Sequence, residues 1–304
     1  MLATDMPDAA DLLENGRHFE GAGVLDRALE CYALAAEQTA NPALAAEALT
    51  HQSRIYRCQS QWEDALTTAR RAQGLAREAQ LEPLLTEAAV AEANVLMCIG
   101  EFQTALHLYE AALATSHDPR IRGIALQNIG SIRAQQGNLG AAERAFAESL
   151  GCFRRAGYGL GEATALNNQG RVALDRGNAA LAEQVLEQAI IAARAVGYTE
   201  LIAIATVNVA EALLARGELA RAEEKVSTAL GYFAASGNRW REIECLRLIG
   251  TINERLGCVS DAVRCYERGL GLASELGAHQ DVRILRDCLS RLRALGAART
   301  ASHH

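Results

Sequence analysis

Glycine, in one case serine, recurs along this chain at Gly23, Ser60, Gly100, Gly137, Gly177, Gly217 and Gly257. Alanine follows five residues later every time, at Ala28, Ala65, Ala105, Ala142, Ala182, Ala222 and Ala262. The intervals between these turn positions are 37, 40, 37, 40, 40 and 40 residues. A fixed period of that length signals one supersecondary unit stacked on itself, which overrides the two closed domains that 304 residues would otherwise suggest. Seven residues before each turn stands a small residue: Gly16, Ser53, Ala93, Gly130, Gly170, Ala210 and Gly250. Nine after it a larger one is usual, as Tyr32, Tyr109, Phe146, Leu186, Val226 and Tyr266, with Ala69 the exception. The small residue lets two helix backbones approach closely, and the large one fills the space beyond the contact. The unit is therefore a helix pair. Half the residues are hydrophobic but only 5% are aromatic, so the apolar mass is mainly Ala and Leu, which suits helices rather than strands.

Helix stops agree with this period. In the last four repeats Gly157, Gly197, Gly237 and Gly277 lie twenty residues past the turn, where a glycine ends a helix. In the first three, Asn41-Pro42, Glu82-Pro83 and Asp118-Pro119 mark the boundaries, because proline cannot continue a helix. The expected organisation is seven repeats over residues 8–41, 42–81, 82–119, 120–158, 159–198, 199–238 and 239–278. A capping helix at 279–296 carries Ile284, Leu285, Cys288, Leu289, Leu292 and Leu295 on one face, and a disordered tail is expected at 297–304. Asn15, Gln52 and Glu92 occupy an inward place that Ile129, Val209 and Ile249 hold later, with Gln169 an exception, so repeats 1 to 3 are expected to pack more loosely.

Small residue, turn glycine and packing alanine in fixed register over residues 8–278 resemble the tetratricopeptide repeat. The 40-residue period is similar to the long-helix variety of kinesin light chain, the Pins/LGN polarity adaptors and the peptide-pheromone receptors of Gram-positive bacteria. The resemblance implies an all-α, right-handed superhelical solenoid of seven helix pairs with a C-terminal capping helix.

In such a solenoid the first helix of each pair lines the inner side. Aligned on the turn, Asn128, Asn168 and Asn208 hold one place in three successive repeats, and Ser131, Arg171 and Glu211 follow three residues later on the same helical face. Gln127, Asn167 and Arg247 flank that surface, and Gln135 and Asp175 extend it by a turn. Asn is a poor helix-interior residue, so its recurrence in register asks for a reason. A side-chain amide matches the donor and acceptor that an extended peptide backbone offers at every residue. The resemblance adds that Asn at this place commonly contacts a bound peptide. The alternative is that these amides bond neighbouring helices and space the repeats. Repeats 2 and 3 present a different lining, including His51, Arg54, Cys58, Asn94 and Cys98.

Formal net charge is −7, and no basic cluster is dense enough to neutralise a run of phosphates, so neither nucleic acid nor a membrane surface is an expected partner. All basic residues but Lys225 are arginine, a composition that points to a GC-rich bacterial genome. Acids at the N-terminus argue against an export signal, and a cytoplasmic protein is expected. Eight cysteines form no C-x-x-C pair and have no His at zinc-ligand spacing, so they are read as reduced thiols, with no metal and no cofactor. Cys58 and Cys98 hold equivalent places in adjacent repeats. Trp62 and Trp240 are read as packing residues. No phosphate loop, H-E-x-x-H or G-x-S-x-G stands in the chain, and no catalytic residue is expected. The reading is a non-enzymatic adaptor that binds a peptide segment of a partner protein. Its rivals are a receptor sensing a short peptide or small molecule, and a self-assembling, homo-oligomeric solenoid.

Overall fold

The computed structural model describes residues 8–301, with side chains up to residue 294. Among the described residues the structure is all helix and turn, without a strand. The helices are α1 (Ala9–Gly21), α2 (Leu25–Gln38), α3 (Pro42–Cys58), α4 (Trp62–Glu78), α5 (Glu82–Cys98), α6 (Phe102–Thr115), α7 (Pro119–Gln135) and α8 (Leu139–Arg155) in a first compact unit, Met1–Gly157. The second unit, Tyr158–His304, holds α9 (Gly159–Asp175), α10 (Ala179–Ala195), α11 (Thr199–Arg216), α12 (Leu219–Ser236), α13 (Arg239–Leu256), α14 (Val259–Glu275) and α15 (His279–Ala301). Each odd-numbered helix up to α13 packs on the one after it as an antiparallel pair. Within the first unit α1, α3, α5 and α7 lie side by side, as do α9, α11 and α13 within the second.

The sequence register has a direct physical basis. All seven alanines five residues past the turns are completely buried, because there the two helices of a pair are closest and a methyl group is all that fits. A Cβ on Gly16 would lie 2.5 Å from the Tyr32 ring, and one on Gly130 would lie 2.7 Å from Phe146. Gly170 against Leu186 and Gly250 against Tyr266 repeat that contact. In repeat 2, where Ala69 replaces the large residue, Ser53 uses the space to donate from Oγ to the Ala65 carbonyl at 2.7 Å.

Several expectations need correction. Repeat 2 does not end differently from the later ones: Gln80, twenty residues past Ser60, adopts φ 57° and takes the left-handed place of the later glycines, while Pro83 sits in the first turn of α5. The packing at Gln52 and Glu92 is not loose, since both are buried and Glu92 accepts hydrogen bonds of 2.7 Å from Arg70 and Gln73. Trp240 is 57% exposed, because it lies in the first turn of α13, ahead of the buried stripe that begins at Glu242 and Ile243. The chain past Ala297 is helical as far as Ala301, where Ala and Arg favour continuing α15; residues 302–304 lie outside the described residues. Leu285, Leu289 and Leu292 of α15 cover Ile243, Tyr266 and Ala273, which closes the end of the second unit; the Leu295 side chain is outside the described set.

Candidate functional site

Two polar clusters sit on the row of first helices in the first unit. The first centres on Glu20 at the end of α1. Its carboxylate accepts from the Tyr32 hydroxyl at 2.8 Å and from Arg54 Nε and Nη2 at 2.5 and 2.6 Å. His51 Nδ1 lies 3.1 Å from the same carboxylate and 2.6 Å from Arg54 Nη2, with its ring stacked on Tyr32 at 4.7 Å between centroids. Burial by itself would raise the Glu20 pKa. Hydrogen bonds from His51 and Arg54, the Arg54 charge and the Tyr32 hydroxyl outweigh it and bring the carboxyl down to about 2. The Tyr32 phenol is pushed the other way by burial and by the adjacent Glu20 charge.

The second cluster joins α5, α6 and α7. Asn94 Oδ1 accepts from the Tyr109 hydroxyl at 2.6 Å and from Asn128 Nδ2 at 2.7 Å. Between the two clusters opens a cavity of about 480 Å³, walled by Arg17 of α1, His51 and Arg54 of α3, Glu87 of α5 and Ile121 and Ile124 of α7. It continues into a narrower recess of about 100 Å³ where Arg57, Val90, Ala91 and Asn94 join the wall. Arg17 is paired with Glu47.

The predicted residues fall into distinct groups. Asn128 is half-buried and gives one of its two amide hydrogens to Asn94 Oδ1. Asn208 is 7% exposed and donates one amide hydrogen to Asn167 Oδ1 at 2.9 Å, across to the neighbouring first helix. Asn168 is half-buried and makes no side-chain hydrogen bond among the described residues. Ser131 donates to the Gln127 carbonyl, while Gln127 Oε1 is buried without a partner. Arg171 is exposed and bridges Glu211 to Asp175, the latter at 3.1 Å. Arg247 is half-buried with no ion pair among the described residues, and Gln135 is exposed.

Sequence reasoning missed Arg17, Glu47, Thr50, Arg57 and Glu87. The signal was present: Arg17, Arg54 and Asn94 stand six residues before their turns, as do Ser131, Arg171 and Glu211, and Glu47 and Glu87 stand thirteen before theirs. Those steps are one helical face continued by two turns. Cys58 and Cys98 are both exposed free thiols, and no group of three or more His, Cys, Asp or Glu among the described residues is arranged to hold a metal ion. No helix among the described residues is long and apolar enough to cross a membrane.

Stacked helix pairs bearing a row of polar side chains on their first helices define a helical-repeat protein. Tetratricopeptide-repeat models match residues 121–195 and 167–238, so this stretch of the chain is built of tetratricopeptide repeats. No curated protein matches it by sequence. Among solved structures it is similar to the apo form of RapI, at 15% identity and TM-score 0.66, covering 89% of this chain and 99% of that one. It is also similar to a Rap protein complexed with competence and sporulation factor, at 16% identity and TM-score 0.70, covering 96% of this chain and 87% of that one. A third is the signal-transduction ATPase PH0952 from Pyrococcus horikoshii, which has a tetratricopeptide-repeat sensor, at 12% identity and TM-score 0.69; there 91% of this chain matches 44% of the other. At these identities the likeness is one of fold.

Proposed function

We propose that this chain is a non-enzymatic scaffold that holds a peptide segment of a partner protein against its row of first helices. The observation that carries this reading is the cavity of about 480 Å³ in the first unit, which opens where α1, α3, α5 and α7 lie side by side. Its walls mix guanidinium and carboxylate groups with aliphatic side chains, which suits a chain that offers backbone amides and mixed side chains. In the second unit Asn167, Asn168, Arg171, Asp175, Glu211 and Arg247 continue the same register and form the secondary surface of this reading. A receptor that answers to a small ligand is the second reading, favoured by the solved complex of a similar Rap protein with competence and sporulation factor.

Glu87→Trp tests the proposal, because Glu87 is exposed, lines both the cavity and the recess and makes no side-chain hydrogen bond among the described residues, so the indole obstructs the face without removing one. Affinity capture from the native lysate should retain a partner on the wild-type chain and lose it on the variant, with helicity unchanged. Identical captures would sink the groove reading. If the captured ligand is instead a small molecule or a free short peptide, the receptor reading takes its place.

A further inference from the structure

The outward face of α10 departs from that of the other second helices. Four, seven, eleven and fourteen residues past the turn at Gly177 stand Leu181, Gln184, Gln188 and Ile191, all of them exposed. Those steps set the four in one stripe along the helix, at the spacing by which two helices mesh. Ile191 is 65% exposed and Leu181 is 41% exposed. In the other six pairs the last of these places holds glycine, as at Gly231, or else alanine or glutamate. A charged residue stands on the same stripe of every other second helix except α6, which has Thr, His and Ala there. The acids of α10 turn aside: Glu183 pairs with Arg216 and Arg221, and Glu187 pairs with Lys225. Gln184 and Gln188 make no side-chain hydrogen bond among the described residues.

The stripe has the same pattern read in either direction. Leu181 and Ile191 lie five residues to either side of Leu186, and Gln184 and Gln188 lie two to either side. We infer that α10 docks antiparallel on the α10 of a second copy of this chain, with Leu181 against the partner subunit's Ile191 and Gln184 against the partner subunit's Gln188. A two-fold contact requires a surface complementary to itself, and this one is. The aliphatic ends cover each other, and each amide both donates to and accepts from the amide opposite. No like charges meet, because the stripe carries none and the flanking acids are already neutralised. A shifted register would set an amide against an aliphatic side chain, so the polar centre fixes the alignment. A parallel pair would bring the two exposed Arg194 guanidinium groups to the same end, whereas the antiparallel one separates them by about 24 Å along the helix. One helix on one helix falls short of the roughly 1,200 Å² of a stable interface, so the dimer is transient, with a dissociation constant on the order of 100 µM. The pairing does not rest on the peptide reading; where that reading holds, pairing also joins two grooves into one bivalent scaffold.

Sedimentation equilibrium of the full chain should show the mass rising from 32.5 kDa toward twice that value over a series from about 5 µM to 1 mM. Ile191→Glu and Leu181→Lys, both at exposed places, should each remain monomeric throughout, since each sets a charge against an aliphatic side chain. Mixed in equal amounts the two variants should associate again. Only the antiparallel register sets the new glutamate against the new lysine while keeping one native Leu–Ile contact. Far-UV circular dichroism confirms that both variants are folded. A wild-type chain that is monomeric at every concentration overturns the pairing and leaves the stripe to a helix of another protein. Association that survives in Ile191→Glu overturns it as well. A mixture that stays monomeric overturns the antiparallel contact, since Ile191 would then meet some other surface.

Discussion

Glu20 couples the folding of the first unit to pH through a carboxyl that stays ionised among three donors. Its pKa in the folded chain lies near 2, below the ordinary value of 4.5, so its contribution is fully present above about 4.5. That contribution is lost as pH falls from there toward 2. Glu20→Gln should therefore be less stable than the wild type at pH 7, and the gap should close as pH approaches 2, measured by urea unfolding across a pH series. A gap that is independent of pH would show that Glu20 acts only through packing. The close approaches of the helix pairs give a second prediction at this scale. Gly170→Val puts a branched side chain where even a Cβ collides with Leu186, and should cost about 1–3 kcal/mol or more, the range for overpacking a core. Exposed Gly231, where a Cβ meets nothing within 4 Å, is the control: Gly231→Ala should be neutral or stabilising.

At the level of elements, two turns are built from residues that disfavour them. Ser60 and Gln80 adopt φ 59° and 57°, in the left-handed region where a Cβ crowds the backbone, whereas glycine fills both places in repeats 4 to 7. Ser60→Gly and Gln80→Gly should each stabilise the chain by up to about 1 kcal/mol, since relief of strain exceeds the added freedom of the unfolded glycine. A lowered melting temperature in both would contradict this. The buried Glu92 offers the opposite case. Its partners Arg70 and Gln73 can turn to water, so Glu92→Ile, which restores the apolar residue of later repeats, should be neutral or stabilising by about 1 kcal/mol. The last helix is tied down by apolar and charged contacts alike, with Arg291 donating to Glu254 at 2.8 and 3.1 Å above the leucine face.

At the largest scale the decisive fact is that, within each unit, every helix packs on near neighbours in the chain. Stability in such an array is a sum of repeat and neighbour terms, not the property of one core. Truncation before α15 should uncover Ile243 and Tyr266 and cause concentration-dependent association, read by light scattering on a dilution series. Hydrogen exchange should reveal graded opening free energies along the repeats. A single all-or-none value throughout would refute additive stacking.

Period, turns and the small-to-large contacts were legible in the sequence because they are local: a helix pair needs glycine or alanine where its backbones meet, and that need recurs every 37 or 40 residues. Gln80 and Trp240 were misread because a left-handed turn without glycine, and an aromatic residue ahead of the buried stripe, leave no mark in residue type. The candidate site was only half legible. The sequence by itself identified the polar face of the first helices, since periodicity decides which residues share a face. Tertiary structure alone decided how those groups are used, because a side-chain amide or guanidinium serves a neighbouring helix or a ligand equally well by chemistry. What the fold adds is distance to the next repeat: Asn128 and Asn208 each donate to an amide oxygen on a neighbouring first helix, whereas the Arg57 guanidinium makes no hydrogen bond among the described residues.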